Sequence, residues 1–236
     1  MKNKSSFIYL MFCGLILLST SCAYKPQLTS IPLLEKKGDF QIDGTLSPVT
    51  ISASLTASYA ITDHFAVQVF GDASPWSYYG QGAIGYYNHF GNGLILENYI
   101  GFGYGYSNDL FKDLPLSIDE NYRMGYTQVN FGKRHNTNPF QFDYGAGIKI
   151  GYLQYNAILH SNYEWIYLNQ PVKIITTPIE PNIFIRFGGK HLKFLLQANL
   201  CFFHQWNYRN KVIENSIFNM GFGISYRFST LKNSKR

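Results

Sequence analysis

Residues 140–153 place two classes of side chain on alternate positions. Phe140, Phe142, Tyr144, Ala146, Ile148, Ile150 and Tyr152 share one parity; Gln141, Asp143, Gly145, Gly147, Lys149 and Gly151 share the other. Only an extended chain turns odd and even residues to opposite faces, so the pattern predicts a strand with one greasy and one polar side. Its fourteen residues outrun the usual strand of about 5–6. They suit a tilted strand of about 9–11 residues crossing a bilayer, continued into water.

The pattern recurs. Residues 218–228 set Phe218, Met220, Phe222, Ile224, Tyr226 and Phe228 against Asn219, Gly221, Gly223, Ser225 and Arg227. In 192–202 the polar side carries Lys193, Gln197 and Asn199, and in 49–61 it carries Thr50, Ser52, Ser54, Thr56 and Ser58. Less regular stretches at 39–47, 64–74, 78–90, 94–107, 121–134 and 174–188 complete a set of ten strands. Two of these, 78–90 and 121–134, carry apolar residues on both parities. Pro178 and Pro181 weaken the start of another, since proline cannot donate to a ladder.

Connection lengths carry independent information. Thr62-Asp63, Gly91-Asn92-Gly93, 135–138 and Gly189-Lys190 are short, whereas 108–120, 156–173 and 207–214 are long; 74–77 is the short exception among the latter set. Short turns at one end and longer loops at the other, with an even strand count, are the layout of barrels in the outer membrane. The expected fold is therefore all-β, an antiparallel transmembrane β-barrel of about ten strands in an up-and-down meander. An N-terminus on the periplasmic side puts every short turn there.

Composition agrees. The chain is 46% apolar and 17% aromatic but only 14% charged, against about 25% charged in a usual soluble domain, and its mean hydropathy is −0.13. Such aromatic content excludes disorder. A helical membrane span needs roughly 20 apolar residues, and the longest run, 7–18, has twelve.

That run follows Lys2 and Lys4 and precedes Ser19-Thr20-Ser21-Cys22, the layout of a secretory signal. Cys22 after small residues resembles a bacterial lipobox, which makes Cys22 the expected lipid attachment point; ordinary cleavage nearby, leaving a free thiol, is the alternative. Residues 1–21 are then signal peptide, 22–37 a lipid-anchored periplasmic tether containing Pro26 and Pro32, 38–229 the barrel and 230–236 a basic tail. Cys13 departs with the signal, so Cys201 remains as a small hydrophobe in an apolar run. Loss of Lys2 and Lys4 lowers the net charge from +6 to about +4, too mild to argue for nucleic acid.

With these residues in view the chain resembles the small lipid-anchored outer-membrane β-barrel proteins of Gram-negative bacteria. The carrying segments are 19–22, 32–38 (PLLEKKG), 59–67 (YAITDHFAV) and 221–228 (GFGISYRF). The last looks like the aromatic-ended closing strand read by the barrel assembly machinery, although eight more residues follow it here. The resemblance implies place, fold and two partners, outer-membrane lipid and that machinery. It implies no activity.

By parity Asp43, Glu97, Asp143, Lys149, Glu180, Arg186, Lys193 and Arg227 form a lumen charge cluster, four acids against four bases. Two readings stand: they pair across a closed lumen, or they line a narrow polar conduit. Glycines of the same parity, among them Gly101, Gly103, Gly145, Gly147, Gly221 and Gly223, make room for large side chains or for water. Tyr78, Tyr79, Tyr86, Tyr87, Tyr104, Tyr106, Trp165, Trp206 and Tyr226 are candidates for interfacial girdles. Tyr163, Trp165 and Tyr167 in a long loop are candidates for external binding. No catalytic residues are assigned: His160, Ser161 and Glu164 are the nearest set, and adjacent strand residues point apart. No metal spacing and no cofactor fingerprint occur, so the expectation is a monomer without cofactor. Its role is structural or surface-interacting, with a narrow solute pore as the alternative and a lipid-modifying enzyme as the weaker one. A soluble lipocalin-like barrel is the fold rival, and it would turn its apolar faces inward.

Overall fold

The computed structural model describes residues 24–108, 116–136, 140–161, 171–206 and 217–229. The strands are β1 (Asp39–Ser47), β2 (Ser52–Ala60), β3 (Phe65–Ala73), β4 (Ser77–Phe90), β5 (Leu94–Asn108), β6 (Leu116–Asn136), β7 (Gln141–Ser161), β8 (Pro171–Gly188), β9 (Leu192–Leu200), β10 (Phe202–Gln205) and β11 (Phe218–Ser229). From β1 to β9 each strand pairs antiparallel with the next, β10 pairs with β8, and β11 pairs with β9 on one side and with β1 on the other, from Asp39↔Ser229 to Leu46↔Phe222. β9 and β10 both lie along β8 and are one strand interrupted at Cys201. The result is a closed antiparallel barrel of ten strands. The β1–β11 pairing closes the sheet on itself, as a β-structure in lipid requires.

Every strand turns apolar side chains outward. Around the wall run Leu46, Leu55, Val69, Ile84, Ile100, Val129, Ile148, Ile183, Phe194 and Phe222, with Ile84, Ile100, Ile183 and Phe194 each more than 60% exposed. The opposite parity is buried and polar: Ser52, Ser54, Thr56, Ser58, Gln68, Gln81, Gln128 and Asn130. A soluble monomer rarely exposes an apolar patch beyond a few hundred Å², so an unbroken belt of this kind is a lipid-facing surface. The lipocalin-like alternative needs the reverse polarity and fails.

Four sequence expectations change. The hairpin of β6 and β7 reaches 21 residues per strand, from Leu116↔Ser161 to Asn136↔Gln141, so the loops read at 108–120 and 156–173 are shorter. Ladder pairing holds their flanks extended where hydrophobic alternation fades. Pro178 and Pro181 both lie within β8, and the ladder to β7 skips between Ile150↔Ile179 and Leu153↔Thr176, beside Pro178. Tyr79 and Tyr87 point into the lumen and are buried, while Tyr78, Tyr86, Tyr104, Trp206 and Tyr226 are exposed on the outside. Tyrosine occurs on both parities of β4, which is why its face was ambiguous.

The largest change concerns 24–34. Every residue of this segment is buried. It is no tether hanging below the barrel; it runs through the lumen.

Candidate functional site: a lumen filled by the N-terminal segment

An extended segment inside a barrel must find partners for its backbone groups, because it makes no ladder of its own. Pro26 and Pro32 lack an N–H and reduce that demand. Thr29 N donates to Gln27 O and Gln27 Nε2 to Lys25 O within the segment, each at 2.8 Å, and side chains of the wall supply further partners. Asn219 Nδ2 donates to Pro26 O at 2.8 Å, Asn199 Nδ2 to Gln27 O at 2.5 Å, Gln197 Nε2 to Leu28 O at 2.7 Å and Gln68 Nε2 to Ser30 O at 3.0 Å. Arg186 Nη2 donates to Ile31 O. Leu33 O accepts from Arg134 Nη2 at 3.0 Å and Arg227 Nη1 at 3.3 Å. In the other direction, Leu34 N donates to Glu97 Oε1 at 3.1 Å and Ser30 N to Thr56 Oγ1 at 3.4 Å.

Side chains of the segment are held as well. Lys25 Nζ lies 2.5 Å from Asp72 Oδ1, and Tyr24 donates to Glu180 Oε1 at 2.5 Å. Ser30 Oγ donates to Asp43, and Gln81 Nε2 donates to Thr29 Oγ1 at 3.0 Å. The apolar side chains find seats over glycine. A Cβ on Gly132 would stand 2.7 Å from Leu33 Cδ2, and one on Gly221 would stand 2.6 Å from Leu28 Cδ1. Other inward glycines make room for tyrosine rings: Tyr99 covers Gly85, Tyr126 covers Gly101, Tyr79 covers Gly103 and Tyr122 covers Gly105. Gly145 and Gly147 instead admit Phe184 and Asn130, and Gly223 admits the close backbone of Gly44. The space these glycines leave holds protein.

Seven of the eight charged residues assigned to the lumen are buried on the inner face, and Arg227 is half-buried at one mouth. Two pairs form among them. Lys149 and Glu180 are register partners on β7 and β8, with Nζ 2.9 Å from Oε2. Lys193 Nζ donates to both oxygens of Asp143 at 2.8 Å. Arg186 is the register partner of Asp143 and lies over the Phe184 ring, 4.5 Å from its centroid. Asp43 and Glu97 pair with none of the eight. Asp43 accepts from Ser30 Oγ and from Gln41 Nε2 at 2.7 Å, and Glu97 accepts from Leu34 N and from Asn130 Nδ2 at 3.3 Å. Arg227 binds Asp39 and lies 3.5 Å from Glu35 Oε2.

Sequence reasoning missed Tyr24, Lys25, Asp39, Asp72 and Arg134 as lumen residues. Arg134 lies 2.7 Å from Glu35 and 3.4 Å from Asp143. Alternation in 64–74, which sets Gln68 and Asp72 on one parity, was the available signal for Asp72; nothing periodic marks Tyr24 or Lys25. Cys201 is a free, buried thiol whose Sγ is 3.9 Å from Glu180 Oε1. Among the described residues no group of His, Cys, Asp and Glu is placed to hold a metal ion. Cys22, Tyr163, Trp165, Tyr167 and Glu164 lie outside the described residues, as do the side chains of His160 and Ser161.

Neither a family model nor a curated protein matches the sequence. Among solved structures, the chain is similar to the N-terminal β-barrel domain of Pseudomonas aeruginosa OprF, at 9% identity over 82% of this chain and 100% of that one, TM-score 0.35. It is similar to the Acinetobacter baumannii outer membrane protein Omp33, at 6% identity over 83% and 99%, TM-score 0.34. It is also similar to the β domain of the Bordetella autotransporter BrkA, at 9% identity over 82% and 100%, TM-score 0.30. At these scores the three add nothing to what the strand pairing shows.

Proposed function

We propose that the chain is a monomeric outer-membrane barrel kept shut by its own N-terminal segment, with a structural or surface-interaction role and no catalytic one. The observation that carries the reading is the ladder of wall side chains on the backbone of 26–34, from Asn219 on Pro26 O to Glu97 on Leu34 N. A ten-stranded barrel is little wider than the eight-stranded kind that side chains alone can fill, so an extended segment occupies the conduit. This weighs against a permanently open solute pore. The apolar belt supports outer-membrane lipid as a partner, and the aromatic β11 supports delivery by the barrel assembly machinery. Lipid on Cys22 belongs to the same reading. The loop-bearing end, where Tyr163, Trp165 and Tyr167 lie in sequence, is its surface for interaction.

Planar-bilayer recording tests the closed state. The full chain should hold the baseline, and a variant lacking residues 24–34 should conduct in discrete steps. Heat-modifiable gel migration of both proteins confirms that each has folded. Steady conductance from the full chain would replace this reading with the pore. Release of the full chain from membranes by carbonate or urea alone would remove the integral barrel.

A further inference from the structure

At the short-turn end the barrel mouth is a cleft of about 350 Å³, and its lining carries five bases, Lys36, Arg134, Lys190, Lys193 and Arg227, against two acids, Glu35 and Asp39. Two of the bases reach over it from separate parts of the wall. Arg134 comes from the end of β6 and Arg227 from the end of β11, strands that are not neighbours in the sheet. Their guanidinium groups meet the same two acceptors. Arg134 gives Nη2 to Leu33 O and sets Nη1 2.7 Å from Glu35 Oε1. Arg227 gives Nη1 to Leu33 O and sets Nη2 3.5 Å from Glu35 Oε2. Each arginine thus divides its terminal nitrogens between a carbonyl and a carboxylate, whereas the guanidinium fork matches two oxygens of one group.

Three carboxylates serve this cluster, and only one of them is open to solvent. Asp39 and Asp143 are buried, while the Glu35 side chain is 42% exposed. Asp143 accepts from Lys193 through both oxygens, and Asp39 accepts from Arg227 and from Glu35 N at 3.1 Å. Those two are fixed. Glu35 is the carboxylate that an anion from solution can replace. Arg134 is ready for one: its side chain is 7% exposed, and its Nε faces Asp143 at 3.4 Å without a hydrogen bond. Lys190, exposed on the β8–β9 turn, makes no ion pair among the described residues.

Leu33 supplies a second, independent observation. Its φ is 53°, in the left-handed region where a Cβ crowds the following carbonyl. The residue strained in this way is the one whose carbonyl both arginines hold. Such strain persists only where the surroundings impose it.

We infer that the cleft is an oxyanion site for a ligand bearing a carboxylate or a phosphate, and that this ligand displaces Glu35 from the arginines and loosens the lumen segment at Leu33. Glu35 is the built-in occupant of the seat. An oxyanion on the terminal edge of Arg134 takes both Nη1 and Nη2, so Leu33 O loses a donor at the same moment as Glu35, and the backbone there is free to leave its strained conformation. Under the outer-membrane reading the turn end faces the periplasm, and the ligand comes from that side. The loosening rests on the closed lumen; the binding does not.

Titration calorimetry on the full chain, folded in a nonionic detergent, tests the site with inorganic phosphate and glutarate as separate probes and chloride at matched ionic strength as the control. One of the two oxyanions should bind at a single site, and the one that binds names the ligand class. Heat that never exceeds the chloride control for either probe overturns the inference. Glu35→Gln vacates the seat and should bind the same probe about tenfold more tightly, whereas Arg134→Lys keeps the charge, loses the fork and should bind about tenfold more weakly. Heat-modifiable gel migration confirms that both variants have folded. An unchanged affinity in Glu35→Gln, or an Arg134→Lys that binds as the parent does, places the anion elsewhere and overturns the seat. Hydrogen exchange in peptides covering 31–35 should quicken when the probe saturates the full chain, with β3 and β9 unmoved; unchanged exchange at saturation overturns the displacement. Rapid exchange across 24–34 before any probe is added removes the closed lumen instead, and the calorimetric comparison of the two variants still decides the site.

Discussion

Tyr24 donates its hydroxyl to Glu180 at 2.5 Å, joining the start of the lumen segment to a wall residue 156 positions later. The other oxygen of Glu180 lies 2.9 Å from Lys149 Nζ, and Lys149 in turn stands 5.5 Å from the centre of the Tyr126 ring. One carboxylate thus serves two purposes: it neutralises a buried ammonium and it holds the segment. These purposes separate under substitution. Tyr24→Phe keeps the packing and the ion pair and removes one charge-assisted hydrogen bond, at a cost of about 1–3 kcal/mol. Glu180→Gln leaves Lys149 buried without its counter-charge, and breaking a buried pair from one side costs about 3–5 kcal/mol. Urea titration of the detergent-folded barrel should rank Glu180→Gln well below Tyr24→Phe. Equal losses would mean that Lys149 finds another partner.

The belt makes a prediction of opposite character, one about lipid. Ile84 and Ile100 face each other on β4 and β5 with side chains outward. An arginine near the midplane of a lipid-facing wall costs about 2–4 kcal/mol and near the interface about 0–1. Ile84→Arg should therefore lower folding stability in vesicles by several times more than Tyr78→Arg, placed one residue from the loop end of β4. If both were neutral, the outer wall would face water.

What the sequence made legible follows from period. Alternation in β7, β9 and β11 names the outward residues Ile148, Phe194 and Phe222 and the inward Lys149, Lys193 and Asn219, because a strand reports its two faces in parity. It is silent on 24–34 for the same reason. An extended segment surrounded on all sides has no preferred face, so Leu28, Ser30 and Leu33 form no pattern. Its partners are scattered through the chain, from Asp43 to Arg227. Nor does a lumen amide such as Gln197 or Asn199 look different in sequence when it binds a carbonyl rather than water. The closed lumen is thus a property of three-dimensional pairing that no local window contains.

Glycine gives a paired test within one hairpin. Gly103 lies under the Tyr79 ring, whose hydroxyl donates to Gln81 Oε1 at 3.1 Å and which stacks on Tyr122 at 5.7 Å. A methyl group there pushes the ring off its stack, an overpacking that costs about 1–3 kcal/mol. Gly82 is on the outward parity, and a Cβ there meets nothing within 4 Å. Gly103→Ala should lower the midpoint of thermal unfolding by several degrees, and Gly82→Ala should hold or raise it. The reverse order would show that the tyrosines do not pack where they are placed.

The amide ladder offers the most direct handle on closure. Asn219, Asn199 and Gln197 alternate along two adjacent strands and grip three successive carbonyls, those of Pro26, Gln27 and Leu28. Each bond contributes about 1 kcal/mol net. No single alanine substitution should open the barrel, because Arg186 on Ile31 O and Glu97 on Leu34 N still hold the lower half. The sites are close and act on one segment, so their effects should compound when combined. In Asn219→Ala/Asn199→Ala/Gln197→Ala the carbonyls of Pro26, Gln27 and Leu28 lose their wall partners, while Lys25–Asp72, Tyr24–Glu180, Gln81–Thr29 and the contacts of Ser30 with Gln68, Thr56 and Asp43 remain. That variant should show brief conductance bursts over a closed baseline, together with faster hydrogen exchange confined to peptides covering 24–30. Each single variant should stay silent and exchange nearly as slowly as the parent. Exchange that quickens throughout the barrel would mean that these amides support the wall itself; a triple variant as quiet as the parent would place the hold on the segment entirely in its lower half.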